Sequence, residues 1–268
     1  MKKIIKSFDD ITSFTRYLNS GTTQPAFKGC ESSLRTDDTK KRVTKTDTYA
    51  EADALLLYGD KGLAKKIEEA GVYTTRMKLR CQQNKRQIYS AVVGIAPHVP
   101  NAIAGVPTSM INVREVRQKQ KVINIAFCCS CGAGVSADEI IKASAQFISA
   151  AMQIEASGVR TNVYLAECSK SGRDTTAYLV RIKSAGQPFD VLKMAYPMAH
   201  PSMLRRHFFR AMEVTEGVSA DFACTYGSAL DNKESIAKAI GRNDMKIISI
   251  YDCFGRCSED IAKKIVEQ

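Results

Sequence analysis

The run from Lys121 to Gly158 constrains this chain more than any other, because a strand, a glycine-bearing turn and a capped helix follow one another without a break. Val122 to Cys129 is apolar except for Asn124, too short to span a bilayer and dense enough for a strand covered on both faces. Ser130-Cys131-Gly132-Ala133-Gly134 then breaks the pattern. Ser136 and Glu139 have capping-box spacing, Ile140, Phe147, Ala151 and Ile154 share one helical stripe, and Gly158 supplies a left-handed stop. This is a Rossmann-like βα unit, and such units hold ligands at the carboxyl ends of their strands. Chemistry is therefore expected in the loop from Cys128 to Ser136, which offers cysteines, serines and glycines but no carboxylate before Asp138.

The elements that follow set the fold class. Val159 to Ala166 alternates as a strand, residues 169–174 form a polar turn, and Thr175 to Lys183 returns as the second arm of an antiparallel hairpin. A helix starts at Pro201 and buries Leu204, Phe208 and Met212; a short strand is expected at Ala220 to Cys224. Ser235 to Ile240 is a helix stopped by Gly241, Lys246 to Asp252 a buried strand, and Ser258 to Val266 the last helix. The order predicts an α/β, Rossmann-like domain over 119–268: a mostly parallel sheet with helices on both faces and one antiparallel strand. Residues 1–118 read as a smaller α-rich or mixed region. Ser7 and Asp10 cap a helix to Leu18, Thr48 and Glu51 cap another through Tyr58, and Leu63 to Ala70 forms a third. Residues 22–47 lack periodicity and predict a flexible or partner-ordered linker. Thr74 to Ile88 is mixed and strand-rich, whereas Pro97, Pro100 and Pro107 predict a proline-fixed loop with a short helix inside it.

Composition decides less than the placement of charge. With 44% hydrophobic and 25% charged residues the chain is of ordinary globular type, and no apolar run reaches the length of a membrane span. Lys2 and Lys3 are not followed by an apolar core, so no signal peptide is expected; nine cysteines, several inside strands, suit packed thiols in a reducing compartment. Of 39 Lys and Arg and 28 Asp and Glu, 22 and 12 lie up to Lys121, leaving 17 and 16 beyond it. The basic surplus concentrates at Lys40, Lys41, Arg42 and Lys45, at Arg76, Lys78, Arg80, Lys85 and Arg86, and at Arg114, Arg117 and Lys119. These side chains are the candidates for contact with nucleic acid, against the alternative of solvated connectors. The absence of Trp, and of aromatics interleaved with the charges, favours the connectors.

Two groups of residues converge on the expected strand ends. Ser130, Ser136, Glu167 and Asp252 would face one crevice, with Glu167 and Asp252 either an acid and base pair or caps of neighbouring helices. Cys128, Cys131, Cys168, Cys253 and Cys257 could approach one another there, but their spacings are not those of structural zinc sites, and neither metal nor cofactor is expected. Ahead of the expected helix, His200 precedes Arg205, Arg206, His207 and Arg210, either an anion site at the helix start or the polar face of an amphipathic helix.

The element order of the last 150 or so residues resembles the von Willebrand factor A fold, in which an Asp-x-Ser-x-Ser metal motif follows the first strand. Here the matching positions read Cys128, Cys129, Ser130, Cys131, Gly132, so one serine of the motif is retained and the anchoring Asp is lost. A second resemblance is one of phrases. Val92-Val93-Gly94-Ile95-Ala96-Pro97-His98-Val99-Pro100 through Gly105-Val106-Pro107-Thr108-Ser109-Met110, then Ala133-Gly134-Val135-Ser136-Ala137, and earlier Thr46-Asp47-Thr48-Tyr49-Ala50-Glu51-Ala52, is similar to a family of tailed-bacteriophage proteins. The resemblance implies a phage origin, with the host cytoplasm or the virion as its place. The function expected is a noncatalytic binding protein whose basic N-terminal part contacts a partner protein or nucleic acid. An enzyme acting on a nucleotide or phosphoester at the strand ends, and a virion or assembly component, are the alternatives; no membrane partner is expected.

Overall fold

The computed structural model describes residues 2–72, 85–116, 121–172, 174–218 and 226–267. The N-terminal part contributes strand β1 (Lys3–Phe8) and helices α1 (Ile11–Ser20), α2 (Asp38–Thr44), α3 (Tyr49–Tyr58) and α4 (Lys61–Val72). Strands β2 (Lys85–Ala91), β3 (Ala96–Pro97) and β4 (Met110–Val116), with the short helix α5 (Val99–Ile103), form a separate antiparallel sheet ordered β2-β4-β3. The main sheet then takes β5 (Val122–Cys128), β6 (Arg160–Ser171), β7 (Asp174–Lys183), β8 (Ser228–Ala229) and β9 (Met245–Ser249). Helices α6 (Ala137–Ala156), α7 (Val191–Ala199), α8 (Phe209–Val214), α9 (Lys233–Ile240) and α10 (Ser258–Glu267) complete the chain.

The fold class is the α/β one that the sequence predicts. The order β1-β7-β6-β5-β9 is parallel at β1·β7, β5·β6 and β5·β9 and antiparallel within the β6–β7 hairpin. Gly172 turns that hairpin with φ near +58°, a conformation open to glycine at little cost. β5 is buried on both faces because alternate residues enter two cores. Ile123, Ile125 and Phe127 meet α6, α7 and α10, while Ala126 and Cys128 meet Ile236, Ala239 and Ile240 of α9. The predicted capping box starts α6: the Ser136 hydroxyl accepts from the Glu139 amide and the Glu139 carboxylate accepts from the Ser136 amide. The stripe of this helix then places Phe147 on Phe127, rings 4.4 Å apart, and burying a side chain of that size contributes about 1.5–3 kcal/mol.

Four expectations about the frame change. First, Lys3–Phe8 is a strand, paired in parallel with β7 from Lys3 opposite Thr175 to Phe8 opposite Val180, so the sheet draws its edge from the N-terminal part of the chain. Ser7 lies in that strand, and Asp10 with Ser13, not Ser7, forms the box that starts α1. Second, residues 22–47, read as a flexible linker, are held by the chain's own side chains: they form short 3-10 turns at Pro25–Phe27 and Ser32–Leu34 and helix α2, with Phe27, Ser33, Lys40, Thr44 and Thr46 buried. Third, the helix expected from Pro201 contains a π-helical turn over Met203–Phe208 before α8, and Arg205, Arg206 and His207 are buried in place of forming a solvated face. The two departures have one cause. Arg206 donates to the carbonyls of Ser33, Arg35, Thr46 and Asp47 and to the Thr46 hydroxyl, so the polar side of this helix is covered by the segment that has no periodicity of its own. Fourth, α7, between Lys183 and Pro201, was not anticipated; Asp190 caps it. The expected strand at Ala220 to Cys224, and most of the stretch from Thr74 to Ile88, lie outside the described residues.

Candidate functional site

β5 ends at Cys128, opposite Ala166, but β6 continues to Ser171, so Glu167 and Ser169 stand beyond the end of their neighbour. Two short segments wall this overhang: β8 pairs with it through Ala229 opposite Ser169, and the turn after β9 carries Tyr251 alongside, its hydroxyl accepting from the Gly132 amide at 2.9 Å. β5 has β6 on one side and β9 on the other, the topological position where open α/β sheets form a ligand crevice. A cleft of about 1310 Å³ opens there. Its floor is Ser130, Cys131, Glu167 and Ser169; residues of 29–43, with Leu204, Arg205 and Phe209, form the facing wall.

The floor is closely tied together. The Ser130 hydroxyl accepts from the Cys168 amide at 2.7 Å and from the Cys128 thiol at 3.4 Å, which fixes the loop directly after β5. Glu167 is 2% exposed, and one oxygen of its carboxyl, Oε2, is buried without a hydrogen-bond partner. Burial, then the neighbouring Cys128 sulfur, hold this carboxyl well above the usual carboxylate range, against the Ser169 and Ser130 hydroxyls that favour the charged form. Burial pushes the half-buried Cys131 thiol up to about 11, which keeps it protonated and a poor nucleophile.

The facing wall carries two buried cationic side chains. Lys40 is 7% exposed and donates from Nζ to the Ser32 hydroxyl at 2.9 Å and the Arg205 carbonyl at 2.7 Å, with the Phe209 ring 5.1 Å away. Burial, reinforced by the Arg206 guanidinium, brings its amine down to about 7. Arg205 is 6% exposed and donates to the carbonyls of Val43 at 2.7 Å and Val135 at 2.6 Å, joining the N-terminal segment to the loop before α6. Behind them Glu213, fully buried, accepts from the Ser33 amide and hydroxyl, from the Tyr226 hydroxyl and from Arg210. The Phe209 and Tyr226 rings stack 4.0 Å apart next to this group.

Of the four crevice residues read from the sequence, the structure brings Ser130 and Glu167 together in the cleft and places the other two elsewhere. Ser136 is occupied as the cap of α6. Asp252 accepts from the Ser249 amide and pairs with Lys264, so it closes a turn and does not line the cleft. Strand-end carboxylates satisfy local backbone donors when a turn follows immediately, as it does after β9. Among the basic candidates Lys40 is a wall residue, Lys41, Arg42 and Lys45 lie on or just after α2, and Lys45, in the left-handed conformation, ends 3.8 Å from Asp138. Lys85 and Arg86 stand on β2 opposite Val116 and Glu115. Arg76, Lys78, Arg80, Arg117 and Lys119 lie outside the described residues. Cys128 and Cys168 are in the core beneath the sheet, Cys253 is buried against the Ser249 carbonyl, and Cys257 is exposed beside Asp260. Among the described residues no three His, Cys, Asp or Glu side chains come together as a metal site. Among the described residues six cysteines are free thiols, while Cys30, on the cleft wall, is disulfide-bonded, an exception to the expectation of free thiols.

A family model described as "Domain of unknown function (DUF7192)" matches residues 2–267, spanning the N-terminal segment and the sheet alike. The chain belongs to the DUF7192 family. No curated protein and no solved structure matches it. The DUF7192 match takes in both walls of the cleft, and Arg205, Tyr251 and the β8 wall were not singled out for this site by sequence. Arg205 carried the one available signal, as part of the Arg-Arg-His run near a helix start. Among the described residues no helix is long and apolar enough to cross a membrane.

Proposed function

We propose that this chain is a phage-encoded binding protein without a catalytic step of its own, which takes its ligand, or a segment of its partner, in the strand-end cleft. The observation that carries the reading is Glu167. A buried polar oxygen left without a partner costs about 1–3 kcal/mol, and this one belongs to a residue that lines the cleft, so a ligand that shifts the floor side chains enough to reach it recovers that cost. The phage origin rests on the phrases at residues 92–110 and 133–137. The basic segment of residues 29–43 makes the wall through which a protein partner or nucleic acid would be felt.

The test is a thermal-shift screen of nucleotides, organic acids and acidic peptides on the parent chain and on Ser228→Trp, which places an indole at the cleft's exposed edge. A stabilising compound whose effect is lost in Ser228→Trp supports the reading; one whose effect is retained shows that binding occurs elsewhere. A second reading, an enzyme acting on a phosphoester in the same cleft, draws on protonated Glu167 as a proton donor facing a cationic wall. Its mark is turnover of a phosphoester that Glu167→Gln abolishes.

A further inference from the structure

We propose that the wall carrying Lys40 and Arg205 receives an oxyanion of a small ligand, a phosphate ester or a carboxylate, an assignment that rests on the ligand-binding reading of the cleft. Charge balance within the wall is the argument. Lys40, Arg205 and Arg206 are buried, and Glu213 is the buried carboxylate among them. Its oxygens are taken by Ser33, Tyr226 and Arg210. Arg206 spends its donors on the carbonyls of the 33–47 segment, which satisfies its hydrogen bonds and explains its place as an anchor.

Lys40 and Arg205 differ from Arg206 in lining the cleft. The partners recorded for both are neutral oxygens, from Ser32 and Arg205 in one case and from Val43 and Val135 in the other. Neutral oxygens satisfy N–H groups without cancelling charge, and for Lys40 the partial compensation from Glu213 is outweighed by burial and by the Arg206 guanidinium, so the buried charge stays costly. The carboxylates on the cleft do not supply one: Asp37 is exposed and paired with Arg35, Asp231 is exposed, and Glu31 is half-exposed at the edge. An oxyanion between Lys40 and Arg205 supplies the missing charge. Burial, and then the Arg206 guanidinium, lower the proton affinity of the Lys40 amine, as expected of a buried cation close to other cations. The opposite floor presents Ser130, Ser169 and the buried Glu167 carboxyl, so the other end of the ligand is hydrogen-bonding, a hydroxyl or amide.

The test uses the whole, unmodified chain. It is treated with an acetylating ester for amines and with N-ethylmaleimide for thiols, and labelling is read residue by residue by peptide mass spectrometry. Inorganic phosphate, adenosine monophosphate and citrate are the probes, each against sodium chloride at equal ionic strength. At least one probe should slow acetylation of Lys40 about five-fold or more while leaving exposed Lys45 unchanged, as occupancy of the site requires. Protection by the nucleotide without citrate assigns a phosphate site, and the reverse a carboxylate site. If Lys40 is unprotected by all three while Cys131 labels faster than buried Cys128, the cleft is open and the oxyanion assignment is wrong. Cys131 as inert as Cys128 shows a closed cleft, and both readings fall.

Discussion

Replacing Glu167 by Gln should stabilise this protein by an amount that grows with pH. Burial, and then the nearby Cys128 sulfur, raise the Glu167 carboxyl well above its ordinary value of 4.5. A carboxyl whose folded pKa exceeds its unfolded one keeps a proton that the unfolded chain has released. Its contribution is fully present below the unfolded value and is lost as pH rises toward the folded one. For one proton the slope in that window is about 1.4 kcal/mol per pH unit. Gln keeps the shape and the polarity but has no proton to lose, so it lacks the slope. From about pH 5 upward the stability of Glu167→Gln relative to the parent should therefore rise with pH, by at most that slope. Burial also holds the imidazole of His200 down at about 4, which gives an opposite slope over much of the same range. That contribution is common to both proteins and cancels in their difference. Urea unfolding at three pH values, with midpoints compared at a shared m value, measures the difference directly. A gap that stays constant with pH, or narrows, refutes the claim that Glu167 is buried as an acid.

Arg206→Met should cost at least about 3 kcal/mol, because it strands several buried carbonyls at once, and should expose residues 33–47 to trypsin; unchanged cleavage at Arg35 and Lys41 would show that Arg206 does not anchor the segment. Ser136→Ala should lower stability by about 1 kcal/mol through the lost cap of α6 and leave binding in the cleft untouched, as isothermal titration with a compound found by thermal shift will show. Asp252→Asn should likewise spare binding, since Asp252 is occupied by the Ser249 amide and Lys264; lost binding would return it to the cleft. If duplex DNA binds, replacing Lys41, Arg42 and Lys45 together by Gln should flatten the plot of log affinity against log salt by about 0.9 for each phosphate contact removed, and an unaltered slope in gel shifts excludes this face.

The parts of the fold readable from the sequence are those in which local pattern and burial agree. Val122 to Cys128 is apolar apart from Asn124 because both its faces are covered, and Ser136 with Glu139 marks the start of α6 whatever packs on it. The edge strand Lys3–Phe8 escaped notice because two of its six residues are lysines and just two are better than fully exposed, so its pairing with β7, not its apolar content, makes it a strand. Residues 22–47 escaped for a related reason. Their order comes from Arg206, about 160 residues further on, and nothing within the segment announces such a partner. The site was half legible. Ser130 and Glu167 follow from where strands end, but Lys40 reads as one of many surface lysines and Arg205 as part of a solvated helix face. A π-helical turn shifts the helical phase, and a covering segment changes what a polar face means.

The most direct measurement of the central claim is a crystal structure of the chain grown with an oxyanion compound, with the cleft inspected for bound atoms. The account predicts an open cleft between residues 29–43 and the end of β5, ligand density beside Glu167 on its floor, and an oxyanion against Lys40 and Arg205. A cleft filled by the chain's own side chains, with Glu167 Oε2 paired to one of them, would contradict it.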